Sequence, residues 1–227
     1  VAVTEGFPEN PEHLKAVSLD HFQGLIVKSK DGGLDYRKTA LAFWRFGPET
    51  PARELGSLWG LLPADTRVPD HTIWAHLDLT SAFATAFVSN GSGTPGLLVM
   101  SFGPVQDFIT QSRSTSDLWA GSHLLSRIAW EGMKVVCRLL GPDSILFPQL
   151  RGVPIVDLWL LREEGLDEKY FEVASWRGSK TDSNPLFVAA LPNRFVAVVP
   201  AHEAEAVARE VTVHARVWAI RTAGLAV

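Results

Sequence analysis

The stretch Asp117–Leu140 places the tightest limit on what this chain can fold into. No proline interrupts it, and Gly141-Pro142 closes it, which predicts one long helix. Leu125, Ile128, Ala129, Val136, Leu139 and Leu140 make an apolar stripe, and Arg127, Glu131, Lys134 and Arg138 an opposite charged stripe expected to face solvent. Helices gain most of their stability from packing an apolar face, so this one needs a surface to cover. Leu97–Phe102, Ile145–Phe147, Leu186–Leu191 and Phe195–Val199 are short apolar runs that read as strands. His202–Arg221 reads as a second helix, with Ala204, Val207, Ala208, Val211, Ala215 and Trp218 on one face. This order predicts an α+β fold: an antiparallel sheet of ferredoxin-like type with helices on one face.

The preceding part reads as helical with loops. Tyr36–Phe46 and Leu55–Leu62 are short helix candidates, and Val105–Arg113 is another beyond the first strand. His71–Val88 is a longer one, with Ile73, Leu77, Thr80, Ala84 and Phe87 expected on its buried stripe. Ser89–Gly96 holds small, polar and turn-forming residues in a row and reads as a linker. The expected organisation is a helical segment at 1–90, a linker at 91–96 and an α+β domain at 97–227. The chain of 227 residues is 46% hydrophobic and 20% charged, enough to build a core without disulfides. Its single cysteine, Cys137, excludes a disulfide framework and fits a reduced, cytoplasmic setting. A net charge of -4 argues against a domain that binds nucleic acid through its overall field. The first residue is Val and no signal-like run follows, so the chain is expected to begin inside a longer polypeptide, with no membrane association.

Several residue groups bear on chemistry. Gly103-Pro104-Val105-Gln106-Asp107-Phe108 joins a strand to a helix. It is either a tight turn with Phe108 in the core or a backbone cradle for phosphate. Gly121-Ser122, near the start of the long helix, marks either close packing or room for a ligand. Asp70, His71, His76 and Asp78 are the plausible metal-binding set. On a helix, His71 and His76 would diverge by about 140°, so no metal site is expected. Gly32-Gly33-Leu34-Asp35 has one acid where two-metal chemistry needs a pair, and reads as a loop. Asn193-Arg194 before a strand reads first as a turn or cap, with an RNA contact through the Arg194 guanidinium as the alternative. Cys137 reads as inert core.

Four ordered blocks resemble a known family. They are Pro69–Ala82; Ser101–Ile109 with Ser112-Arg113 and Asp117–Ser126; Leu146-Phe147-Pro148; and Leu191–Pro200. Together they resemble the large subunit of type III-B CRISPR effector complexes, the Cmr-type polymerase/cyclase-palm protein. The first block is similar to the end of its histidine–aspartate (HD) domain, the rest to its first palm. The resemblance implies a crRNA-guided assembly with other Cmr subunits, crRNA and target RNA as partners, acting in antiviral defence. It further implies ATP bound between two palms for cyclic oligoadenylate synthesis. A Gly-Gly-Asp-Asp hairpin on the second palm would hold Mg or Mn. On this chain it implies nucleotide contacts at Gly103, Pro104, Val105, Gln106, Phe108, Gly121 and Ser122, with no catalytic residue, so the chain alone is expected to be inactive. A purely structural scaffold and an isolated HD-type phosphohydrolase are the alternatives. The latter lacks an upstream His-Asp pair, since Asp20-His21 and Asp70-His71 have the reverse order.

Overall fold

A computed structural model describes residues 11–49, 56, 58–88, 93–178 and 180–224. The elements in chain order are α1 (Pro11–Gly24), α2 (Tyr36–Phe46), α3 (Ile73–Val88), β1 (Pro95–Ser101), α4 (Val105–Ile109), α5 (Thr115–Leu140), β2 (Ile145–Phe147), α6 (Pro154–Arg162), α7 (Ser175–Gly178), β3 (Arg194–Pro200) and α8 (Ala204–Gly224). Single 3-10 turns lie between several of them. Among the described residues, those up to Asp78 form one compact unit with Asp157–Glu172. Leu79–Val156 and the residues from Val173 onward form a second.

The first unit is built on buried aromatic rings. Trp59 and Trp74 form its centre, with Leu14, Val17, Phe22, Phe43, Leu62 and Ile73 against them. Both indoles keep a hydrogen-bond partner: Trp59 Nε1 donates to Gly47 O at 2.9 Å and Trp74 Nε1 to Trp59 O at 3.0 Å. A buried indole N–H left without one would cost stability. Asp35 caps α2 by accepting from Lys38 N at 2.9 Å, and Gly32 turns the preceding loop at φ 86. The Gly32–Asp35 segment is therefore a turn and a cap. At the far end of α2, Arg45 Nε and Nη2 reach Asp157 Oδ1 and Oδ2 at 2.6 and 2.8 Å. Both residues are buried, and the two-pronged geometry satisfies both charges away from water.

In the second unit β3 pairs antiparallel with β1 on one side and β2 on the other, in the order β1-β3-β2. With α5 between β1 and β2 and α8 after β3, this is β-α-β-β-α, five of the six elements of a ferredoxin-like unit. Leu98 pairs with Ala197 and Met100 with Phe195 on one face, Leu97 with Val198 and Val99 with Val196 on the other. Helices α5 and α8 pack together and against the sheet. The end of α3 adds Ala82 and Ala86 against Val198, on the opposite face.

Five expectations need correction. The charged stripe of α5 is not a solvated face: Glu131 is 2% and Lys134 8% exposed. Lys134 Nζ lies 2.7 Å from Glu131, His214 Nε2 of α8 3.2 Å, and Arg127 Nη2 3.4 Å. The helix is enclosed along 129–137, so the cations there face a buried carboxylate, while Leu139 is exposed. The inward positions of α3 are Trp74, Ala82 and Ala86, whereas Leu77 and Phe87 are exposed; small alanines let the helix approach the sheet. Leu186–Leu191 is not a strand. Asn184 accepts from Leu186 N, Pro185 opens a 3-10 turn, and Leu191 N donates to Ser126 Oγ in place of a strand partner. Within Leu55–Leu62 the described residues form only the 3-10 turn Trp59–Leu61, and residues 55 and 57 lie outside those described. In the expected linker, residues 89–92 also lie outside them, and β1 already begins at Pro95.

Gly132 lies where α5 meets its neighbours. A Cβ there would stand 2.5 Å from Phe102 Cζ and 3.3 Å from Val211 Cγ1. Gly132→Val is expected to cost about 1–3 kcal/mol from overpacking, measured by denaturant unfolding; wild-type stability would show that the seam yields freely. Burial pushes the Asp143 carboxyl up, against an opposing hydrogen bond from Ser81. Its folded value then exceeds its unfolded one, so its contribution to stability is full at low pH and is lost as pH rises through the folded value. Asp143→Asn should gain in Tm over the parent as pH climbs from about 4 to 7. A Tm difference independent of pH would contradict this.

Candidate functional site

The turn after β1 is held by Asn193. Phe102 N donates to Asn193 O at 2.7 Å, and Asn193 Nδ2 donates to Phe102 O at 2.9 Å. This closed pair ties the start of the Gly103–Phe108 loop to the chain entering β3. It also gives Asn193 the structural role expected of a turn residue. Gly103 needs no glycine for packing: a Cβ there would find only Val105 N, at 3.9 Å. Pro104 then leads into α4, whose Thr110 Oγ1 donates to Asp107 O at 3.1 Å.

Behind this loop lies a cavity of about 580 Å³. Its wall comes from Met100–Pro104, Asp107 and Phe108, from Leu125 and Ile128 of α5, and from Thr212, Ala215, Arg216 and Ala219 of α8. The lining is mainly apolar, with one cation, Arg216, and one carboxylate, Asp107. Among the expected contact residues, Gly103, Pro104 and Phe108 border the cavity, whereas Val105, Gln106, Gly121 and Ser122 do not line it. Gly121 lies against the other side of Phe108, in a separate shallow recess with Ser112, Arg113 and Asp117. A Cβ on Gly121 would meet Phe108 Cε1 at 3.3 Å, so the glycine makes room for that ring. Ser122 Oγ donates to Leu118 O at 2.9 Å, within its own helix.

The sequence reading missed Thr212 and Arg216. Their signal was present in the α8 pattern: they flank Ala215 on the face that Val211 and Ala215 bury. Farther along α5, His123 stacks on Trp119 at 6.0 Å and 13°. Burial first, then the nearby Arg127, push its imidazole pKa down, so it stays neutral to lower pH than a free histidine.

The set Asp70, His71 and His76 also comes together, contrary to expectation. The 140° divergence applies to two helical residues, but α3 starts at Ile73, and His71 precedes it. His71 Nε2 lies 3.3 Å from His76 Nδ1, and His71 Nδ1 lies 2.5 Å from Asp70 Oδ1. Among the described residues no group of three or more His, Cys, Asp or Glu could hold a metal ion.

The family described as CRISPR-associated protein Cmr2, N-terminal, matches residues 97–223. The chain belongs to this family. Over 185 residues it is 36% identical to the CRISPR system Cmr subunit Cmr2 of Pyrococcus furiosus, which takes in 82% of this chain and 18% of that protein. Over 110 residues it is 38% identical to the CRISPR system CMR subunit Cmr2 of Saccharolobus solfataricus, 47% of this chain and 10% of that one. The chain therefore spans less than a fifth of the length of the curated relatives it matches. The Cmr2 N-terminal match contains every residue that lines the cavity, from Met100 to Ala219. No helix among the described residues is long and apolar enough to cross a membrane.

Asn193→Ala removes the donor to Phe102 O and is expected to lower stability by about 0.5–1.5 kcal/mol. Faster amide hydrogen exchange should follow at Phe102 and in the loop after it. Unchanged exchange there would show that the loop holds itself.

Proposed function

We propose that this chain is part of the large subunit of a crRNA-guided type III-B effector complex in antiviral defence. In this reading its second unit is the first of two palms and supplies half of an ATP site for cyclic oligoadenylate synthesis, switched on by target RNA. The other Cmr subunits, crRNA and target RNA are its partners through the assembly. The observation that supports the nucleotide role is the 580 Å³ cavity edged by Gly103, Pro104 and Phe108, in a β-α-β-β-α unit of the Cmr2 family. The nucleotide lies over the Gly103–Phe108 loop, with the backbone of Val105 and Gln106 facing phosphate or ribose and Phe108 supporting the loop. Gly121 leaves the space that Phe108 occupies, and Ser122, whose Oγ donates to Leu118 O within its own helix, gives the ligand at most one weak hydrogen bond.

The cavity lining offers one carboxylate, Asp107, which does not fit a two-metal centre. Mg or Mn therefore belongs to carboxylates elsewhere in the parent protein, and this chain positions the nucleotide. Arg216 is the lining residue suited to a phosphate oxygen, because its guanidinium offers paired N–H donors. A scaffold role is the second reading. Leu97 and Val99 favour it: they are 68% and 64% exposed on one face of the edge strand β1, and exposed apolar surface of this kind marks interaction sites.

Gly103→Leu separates the two readings, because a Cβ at this position meets no atom nearer than Val105 N at 3.9 Å and the added side chain grows at the rim of the cavity. In the assembled complex it should raise the apparent KM for ATP several-fold while target RNA binding stays normal. An unchanged KM would overturn the nucleotide role. Leu97→Asp failing to assemble, with the Gly103→Leu variant kinetically normal, would establish the scaffold role instead.

A further inference from the structure

The outer edge of β1 is open to pairing. Phe102 N donates to Asn193 O at 2.7 Å and Ala201 N to Thr94 O at 2.9 Å. Both bonds continue the register of the strand, in which Ser101 pairs with Arg194 and Pro95 with Pro200. In an antiparallel ladder, residues alternate between exchanging backbone bonds with the neighbouring strand and facing away from it. Thr94 and Phe102 bond to the β3 side, so Gly96, Leu98 and Met100 do too. Pro95, Leu97, Val99 and Ser101 therefore turn their backbone groups to the outer edge. Pro95 fits there, having no N–H to give to the ladder. Among the described residues no strand pairs with that edge.

Leu97 and Val99 also carry exposed side chains, on the sheet face that α3 crosses. Ala82 and Ala86 of α3 sit on Val198, and Ser81 bonds Asp143 just ahead of β2. Each residue turns a helix by about 100°, so Phe83 and Phe87 lie on the flank opposite Ser81, toward β1. Their rings are 6.4 Å apart and both side chains are exposed. Edge strands are commonly protected from pairing by a lysine, a proline or a bulge. Pro95–Ser101 has no charged residue, keeps one register with β3, and has its proline only at the end.

We propose that β1 pairs with β1 of a second copy of this chain, antiparallel about a two-fold axis at Leu98. In that register Leu97 stands opposite Val99 of the second copy, and Val99 opposite its Leu97. Both turn their backbone groups outward, so each such pair exchanges two backbone bonds. At each end Ser101 N donates to Pro95 O. A shift by one residue would set outward-bonding residues against inward-bonding ones, and the register about Leu98 alone engages every residue of the strand. The side chains match as well. Residues directly opposite share a face, so leucine meets valine on the face flanked by Phe83 and Phe87, and no charge meets its like. The product is one continuous sheet in the order β2-β3-β1-β1-β3-β2. A two-fold interface is closed, so assembly through this edge ends at the dimer. The proposal rests on the scaffold reading of the same surface, for which it names the occupant, and is independent of the nucleotide reading.

Sedimentation velocity of the 227-residue chain at rising concentration should pass from the mass of one chain to that of two. Val99→Pro removes an outward N–H while leaving the ladder to β3 whole. It should weaken dimerisation about tenfold or more, since each dimer loses two backbone bonds, with circular dichroism unchanged. Val99→Lys should weaken it too, by setting a charge in the apolar seam. Residues opposite each other in a bonded pair stand about 5.5 Å apart at Cα, within reach of a disulfide. Leu97→Cys mixed with Val99→Cys should therefore cross-link between copies on mild oxidation, faster than either variant alone. A chain that stays monomeric at every concentration, or a dimer indifferent to both changes at Val99, would overturn the proposal. If those variants lose their fold, wild-type hydrogen exchange decides: protection of the Leu97, Val99 and Ser101 amides that rises with concentration supports it, and protection that does not change overturns it. A monomeric chain whose Leu97→Asp variant still fails to enter the complex would overturn the dimer while the scaffold reading stands.

Discussion

The enclosure of α5 is the constraint on which the second unit depends. A helix covered all round along 129–137 must find a partner in every direction. The sheet supplies one side and α8 another. Gly132 lets Phe102 and Val211 close in where a side chain would block them. The same enclosure explains the charges: Glu131 is buried because Lys134, Arg127 and His214 surround it. Breaking such a cluster by removing one partner leaves an uncompensated buried charge, which costs more than the pair contributes.

Phe102 links this packing to the candidate site. Its ring fills the space beside Gly132, and its backbone is held at both polar atoms by Asn193. The loop that follows is therefore anchored at its root yet sterically free at Gly103. A free glycine on a fixed base suits a surface that a ligand backs onto better than a turn under strain. The cavity beneath it takes its apolar floor from the α5 and α8 faces that the packing leaves uncovered, and its one cation from Arg216.

The first unit solves a different problem. Its indoles bring N–H groups inside, and backbone carbonyls at Gly47 and Trp59 meet them. Asp157 returns from a distant part of the chain to neutralise Arg45. The backbone bonds among residues 62–76 hold the start of α3 firmly enough to keep His71 and His76 in register, a geometry that needs no large core.

The local pieces follow from the order of residues along the chain. Tyr36–Phe46, the body of α5, the strands at 97–101, 145–147 and 195–199, and the buried face of α8 could be read because each has an internal period and a clear stop. The family blocks at Ser101–Ile109 and Leu191–Pro200 were legible too, and they are the segments that Asn193 joins in space. Helices α1 and α6 went unread for lack of a strong periodic stripe. Tertiary structure alone decided which face of α3 turned inward, since alanines win over larger residues where a helix lies close on a sheet. It alone made the α5 charges a buried cluster, because burial depends on what arrives from α8. It also brought His71 onto His76, since the helix begins one residue after Thr72 and the backbone ahead of it folds back. Periodicity reports only neighbours along one element; contacts set by a distant carbonyl, glycine or carboxylate exist only once the chain has folded.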